Sequence, residues 1–294
     1  MKQHKQSRME ILRHRLATLL ACIVVLGVPI LSVVQIGHLH SSDGRKATPL
    51  PAFQTRKIDQ TSQAPQLFQE PLISVTFDDG YETTYKDAIP ILQKRGIHTT
   101  QYILSGVENN PLYLDWAQVK AIQAAGHEIG CHTINHPDLQ TIDDQDVMHQ
   151  LVGCKTTMSK YVGSVTDFAS PYGSENARTL SDIKKVFASQ RNTNGDSSNG
   201  VTNADVNTAA YFNPNDIIGM TVKHTTTLNE LQQLVDFTIK NNGWLVLTYH
   251  QADDGPSKYA LDPKQLDQQM ALLQRSPVRI VTVHQAVSSW KAAK

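Results

Sequence analysis

From Pro71 onward the sequence predicts one parallel α/β domain closed into a barrel. Two observations carry this. Short apolar, β-branched runs alternate with amphipathic helical stretches, and the residues best able to do chemistry fall just after the apolar runs. In α/β proteins those strand ends are where sites are built.

The first buried strand covers 72–78, from Leu72, Ile73, Val75 and Phe77 with Thr76, and stops at Asp78, Asp79 and Gly80. A helix is expected over 83–94, with Ala88, Ile91 and Leu92 on one side. Strand 99–104, helix 115–125 and strand 128–131 come next. Val147, Leu151, Cys154 and Met158, spaced four, three and four apart, set a long helix over 143–162. Strand 165–169 and helix 177–187 follow, and then 188–214, rich in Asn, Ser, Thr and Gly, reads mostly as loop. Strand 217–222, helix 228–241, strand 244–249, helix 263–275, strand 278–283 and a short C-terminal helix complete the domain.

Ahead of it the sequence is organised differently. Residues 1–15 carry a net charge of +4, and 16–37 form an uncharged, mostly apolar run of 22 residues, long enough to span a bilayer. The basic cluster comes first, so the positive-inside rule makes 1–15 a cytoplasmic tail and puts the remainder outside. No Ala-x-Ala site closes the run, which favours an uncleaved signal anchor at 16–37; secretion after cleavage is the alternative. Residues 38–70, polar and with Pro49, Pro51 and Pro65, form an extracellular linker of on the order of 30 Å reach. The domain is then 71–294, on the cell-wall side of a single-pass membrane protein, and is expected to be a monomer. Lys plus Arg equals Asp plus Glu over the whole chain, 27 each, and with the basic tail set apart nothing remains to track phosphates, so nucleic acid is no partner. Cys22 lies in the anchor. Cys131 and Cys154 lie where a disulfide is chemically permitted, with two inert buried thiols as the default.

Four stretches carry chemistry. Asp78, Asp79 and Gly80 alone read as a capped turn, but successive residues point to opposite sides, so two adjacent carboxylates need not share a role. His132 and His136 are four apart after a strand, and Pro137 disfavours a helix at His136, which places the pair in a turn. By themselves they are as readily hydrogen-bonded histidines as ligands; with one strand-end Asp they make a two-His, one-carboxylate metal site with open positions. Pro171, Tyr172 and Gly173 form a turn able to present a backbone N–H. His250 ends a buried strand at the same rim, where a hydrolytic site needs a general acid.

Thr-Phe-Asp-Asp-Gly at 76–80, His-Thr-x-x-His at 132–136, Pro-Tyr-Gly at 171–173 and Leu-x-x-His at 247–250 together resemble the polysaccharide deacetylases, the NodB-homology domains of carbohydrate esterase family 4. The resemblance covers about 71–290. It implies a distorted (β/α)7 barrel that hydrolyses N-acetyl groups on amino-sugar polymers such as peptidoglycan or poly-N-acetylglucosamine. It also implies that Asp79, His132 and His136 hold a divalent metal, most often zinc, with Co2+, Ni2+ or Mn2+ as alternatives. Asp78 would be the base and His250 the acid, kept charged near neutral pH by the carboxylates around it. Leu247 would line a pocket for the acetyl methyl, Tyr172 would offer its N–H to the oxyanion, and Pro171 and Gly173 would shape that turn.

The chain departs from the family pattern in two places. Ala169 and Ser170 stand where the family has Arg-Pro, and the family arginine tethers the base; no Asp-Trp pair follows, the late tryptophans being Trp244 and Trp290. Lys223 or Arg191 is the cation expected to replace the arginine. Arginine-less motifs of this kind resemble the branch acting on poly-β-1,6-N-acetylglucosamine. The departures also motivate a glycan-binding domain without turnover, while an acetyl ester or another amide would suit the same site. A two-His, one-carboxylate iron oxygenase is the remaining class, but it has no use for Asp78 or His250. Tyr81, Tyr113, Trp116 and Tyr249 are available to stack on sugars or to fill the core.

Overall fold

Every residue of β1 (Leu72–Phe77) is buried, and the sheet is assembled around it. The computed structural model describes residues 68–292 apart from 108, 210 and 211. The expected tail, anchor and Cys22, and the linker up to residue 67, lie outside the described residues. Among the described residues no helix is long and apolar enough to cross a membrane.

After β1 the chain runs through α1 (Ile89–Lys94), β2 (Thr100–Ile103), α2 (Trp116–Ala124), β3 (Glu128–Cys131), α3 (Asp144–Val162), β4 (Asp167–Ala169) and α4 (Ala177–Val186). It continues with β5 (Ser189–Arg191), β6 (Met220–Thr221), α5 (Leu228–Lys240), β7 (Trp244–Tyr249), α6 (Pro263–Arg275), β8 (Arg279–Ile280) and α7 (Val283–Ala292). All strand pairs are parallel, in the order β5-β4-β3-β2-β1-β7-β6. β7 accompanies β1 along its whole length; on the other side β8 pairs with Leu72 and Ile73, and β2 with Thr76 and Phe77. The two ends of the sheet meet through isolated bridges only, Arg191 to Ile217 and Gly195 to Met220. The predicted barrel is therefore a curved parallel sheet whose seam, between the three-residue β5 and the two-residue β6, lacks a continuous ladder.

Two local differences have physical causes. The helix expected over 83–94 begins as a wide π turn, Thr84–Ala88, and becomes α1 only at Ile89; Pro90, at the start of α1, has no N–H to continue a tighter ladder. Inside the stretch expected to be loop, Ser189–Arg191 is a buried strand with no apolar residue. Its side chains are drawn instead into hydrogen bonds, Ser189 to Asp167 and Gln190 through Nε2 to Ser170 and Glu175.

Alternation along the strands sorts the core. Ile73, Val75, Phe77, Leu245, Leu247 and Tyr249 pack against the helices, whereas Leu72, Trp244 and Val246 join Tyr102 and Ala169 on the inner side. The buried polar side chains of β1 are paired as well: the Ser74 hydroxyl donates to the Val281 carbonyl and that of Thr76 to the Leu247 carbonyl. Val147, Leu151, Cys154, Met158 and Val162 form the buried stripe of α3, in the expected register. Cys131 and Cys154 form a disulfide, so the default of two thiols is corrected: the stripe brings the helix against the end of β3, with the two Cα atoms 6.4 Å apart.

At the start of β3, Glu128 accepts hydrogen bonds from Thr100 Oγ1 (2.9 Å) and His284 N (2.8 Å). Burial and the neighbouring Asp167 charge push its carboxyl from 4.5 up to about 8. Between those values the folded chain holds a proton that the unfolded chain has lost, so this group lowers stability as pH rises. Glu128→Gln is expected to raise the thermal midpoint relative to wild type at pH 8, with the gap closing towards pH 5. The disulfide closes a segment of 23 residues, and the double variant Cys131→Ala/Cys154→Ala is expected to lose about 3 kcal/mol in denaturant unfolding.

Candidate metal centre and active site

Asp78 and Asp79 end β1 and part company there. Asp78 continues the inward side of the strand and is 2% exposed. Asp79 (φ 70°) and Gly80 (φ 75°) are both left-handed, a turn that swings the second carboxylate away from the first. Gly80 suits this position because a Cβ there would lie 3.1 Å from Ile103 Cδ1, on top of the positive φ.

His132 and His136 occupy the loop after β3, in a turn as Pro137 requires. Thr133 (φ 74°) and His136 (φ 62°) are left-handed too, and Thr133 Oγ1 accepts the His136 N–H at 3.0 Å. The two Nε2 atoms stand 3.4 Å and 3.3 Å from Asp79 Oδ1. Hydrogen bonding of His132 Nδ1 to the Ala169 carbonyl (2.8 Å) turns its Nε2 towards Asp79. Despite burial, which favours neutral forms, the imidazoles hold Asp79 at about 2, and Asp79 and Asp78 hold His132 above the ordinary imidazole range. Burial and the neighbouring His132 lower His136.

These residues fit a divalent cation. One ligand atom from each of Asp79, His132 and His136 lies within 4.8 Å of the others, and Asp79 Oδ1 is buried without a hydrogen-bond partner. A pocket that favours a proton on His132 favours a metal in its place once that proton is gone. The donor set, two imidazoles and one carboxylate, is one that zinc and its neighbours accept.

Asp78 meets a different cation. Arg191, fully buried at the end of β5, places Nη2 2.5 Å and 2.6 Å from the two Asp78 oxygens. Its Nη1 donates to the Asn192 carbonyl at 3.1 Å, and its guanidinium carbon lies 5.1 Å from the centre of the Tyr102 ring. In the β4–β5 register Arg191 is the direct partner of Ala169. The positive charge missing from position 169 thus arrives from the neighbouring strand at the same level. Lys223 is exposed and does not take this place.

Tyr172 (φ 60°) is exposed, with its ring edge-on to His136 at 4.4 Å between centroids. Gly173 must be glycine, since its φ is 64° and a Cβ would fall 2.0 Å from Thr193 Oγ1. His250 follows β7 with its ring stacked on Tyr259 at 4.8 Å and its Nδ1 buried without a partner. Burial lowers its pKa in spite of Asp78 and Asp79, so the expectation that those carboxylates keep it charged near neutral pH is corrected.

Asp78, Asp79, His132, His136, Tyr172, Gly173 and His250 all line one cavity of about 240 Å³. Pro171 and Leu247 are buried and lie outside its lining; Leu247 lines a neighbouring cavity instead. Of the aromatic residues, Tyr81 reaches the cavity, whereas Tyr249 is core, stacked on Phe77. Thr193, Thr221, Gln251, Ser257 and Tyr259 also line it and carry no motif by which sequence would have found them.

Residues 67–188 match the family model of polysaccharide deacetylases. That match runs from β1 through α4. A chitin deacetylase of Pestalotiopsis sp. is 31% identical over 148 residues, 50% of this chain and 46% of the relative. A peptidoglycan-N-acetylglucosamine deacetylase of Bacillus cereus is 30% identical over 119 residues, 40% and 54%. The chain thus spans about half the length of these curated relatives. Among solved structures, the chitin deacetylase of Colletotrichum lindemuthianum shares the fold, with a TM-score of 0.53 at 18% identity over 76% of this chain and 92% of that one. Within this site the tether of Asp78 is the feature most open to test. Arg191→Ala is expected to cost about 3–5 kcal/mol in denaturant unfolding by stranding a buried carboxylate. Adding Ala169→Arg should recover part of that loss, because the two positions are direct strand partners.

Proposed function

We propose that the protein is a metal-dependent N-deacetylase acting on N-acetylglucosamine units of a cell-wall or surface polysaccharide, peptidoglycan or poly-N-acetylglucosamine. The observation that carries this is the division of labour in one cavity: a two-His, one-Asp cluster, a separate carboxylate clamped by Arg191, and a histidine beyond both. Asp79, His132 and His136 would hold the cation. A divalent ion so bound, with zinc the first choice, supplies Lewis acidity that acidifies water and polarises an amide carbonyl.

The protein groups do the remaining work. Asp78, oriented by Arg191, takes the proton of the attacking water as oxygen adds to the acetyl carbon. The Tyr172 N–H faces the oxygen that becomes negative; the neighbouring Gly173 and Ser174 N–H groups are already engaged by the Ser170 and Pro171 carbonyls. As the C–N bond breaks, His250 in its protonated form gives its proton to the departing nitrogen, leaving acetate and a free amine. Pro171 supports the Tyr172 turn from within the core. Leu247 keeps its expected role beside the acetyl methyl only if that group reaches the neighbouring cavity.

The 16–37 segment would anchor the chain in the membrane, with 38–70 as a stalk that lets a monomeric domain reach its polymer. The missing arginine that favoured a glycan-binding domain without turnover loses its force, because Arg191 meets the same carboxylate. The full-length chain in detergent, supplied with Zn2+, is expected to release acetate from N-acetylglucosamine oligomers or peptidoglycan and to stop on chelation. Asp78→Asn should lower the rate by about 100-fold or more while metal content is retained. Absence of acetate from every such polymer would sink the proposal.

A further inference from the structure

His250 presents an unusual problem of orientation. A histidine that moves protons is ordinarily held by a hydrogen bond at its second ring nitrogen, which fixes both the tautomer and the plane. Here Nδ1 is buried and has no partner, and the one side-chain contact Thr84 makes with this residue goes to the His250 backbone carbonyl. The imidazole nevertheless lies flat on a second ring: Tyr259 stacks on it at 4.8 Å between centroids with 22° between planes.

Tyr259 is itself well placed to act as a fixed surface. It sits in the segment joining β7 to α6, which is tied back by Leu261 N–H to the Gln251 carbonyl (3.0 Å) and by His224 N–H to the Lys258 carbonyl (3.1 Å). The Tyr259 N–H donates to Ser257 Oγ at 3.2 Å, and Lys258 Nζ stands 4.8 Å from the centre of the Tyr259 ring. A side chain so placed and half-buried loses little further entropy in confining its neighbour. Because its ring contacts His250, Tyr259 is a wall of the cavity and of its neighbour, not a free platform for a sugar.

We propose that Tyr259 is the positioning residue of His250, substituting a ring-on-ring contact for the hydrogen bond at Nδ1. It fixes the plane of the imidazole so that the opposite nitrogen points at the leaving amine. The proposal rests on His250 acting as the acid in the deacetylation proposed above. Its test separates substrates that need that acid from substrates that do not. An amide cannot expel its amine without a proton, whereas 4-nitrophenyl acetate loses a stable phenolate unaided.

In the zinc-loaded full chain, Tyr259→Ala is expected to lower kcat on an N-acetylglucosamine oligomer by roughly 10- to 100-fold, with KM little changed. Its turnover of 4-nitrophenyl acetate should stay within about twofold of wild type. Tyr259→Phe, which keeps the ring, should restore the amide rate, and Tyr259→Leu, which keeps bulk without a ring, should not. Equal loss on both substrates, or a leucine variant as good as phenylalanine, would overturn the inference. Wild type that turns over the ester but no N-acetyl amide would remove the deacetylase proposal and this inference with it. An alanine variant unaffected on the amide would remove the inference alone.

Discussion

The buried pair of Asp78 and Arg191 is the interaction on which the rest of the site depends. A carboxylate almost shut off from water is tolerable only with a matching charge and well-formed hydrogen bonds. Arg191 provides both from β5, a strand of three polar residues at the seam of the sheet. The seam is the weakest part of the sheet by its ladder, yet the strand beside it carries one of the most firmly held side chains. The local order at Asp78 is therefore bound to the closure of the sheet. If β5 slipped by one residue against β4, the guanidinium would face the other side and the carboxylate would be stranded.

Backbone strain is gathered at the same rim. Asp79, Thr133, His136 and Tyr172 all adopt left-handed backbone conformations that residues with a Cβ seldom take. Each belongs to the loop after β1, β3 or β4, and all but Thr133 line the cavity. Strain of this kind persists only where the surroundings over-determine it. Here they do so through the Thr133–His136 bond, the Ala169 carbonyl on His132 and the close approach of Thr193 to Gly173.

Much of this was legible in the sequence, for identifiable reasons. Strands built on apolar, β-branched runs announce themselves, and so β1 and β7 fall close to where hydropathy puts them. β5 stays hidden because its buried side chains are Ser, Gln and Arg, hydrogen-bonded to partners far away in sequence. That Arg191 stands level with Ala169 is a fact of cross-strand register, which no local pattern encodes. The Cys131–Cys154 pair needed the phase of a helix against a strand, and the lowered His250 pKa needed the amount of burial, neither of which residue types alone specify. Alternation along β7 does separate Leu247 from His250, so the side Leu247 takes was available from the sequence.

The disulfide has a consequence for when the metal centre is finished. Cys131 is the residue immediately before His132, so the bond ties the loop that carries both imidazoles to the middle of α3. Such bonds form in oxidising surroundings and are suppressed by cytosolic thiols. A chain kept reduced would lose that tie and rely on packing and on the loop's own hydrogen bonds for its order. Oxidation would then help to finish the candidate centre, tying the order of its loop to the thiol chemistry of the compartment in which the chain folds.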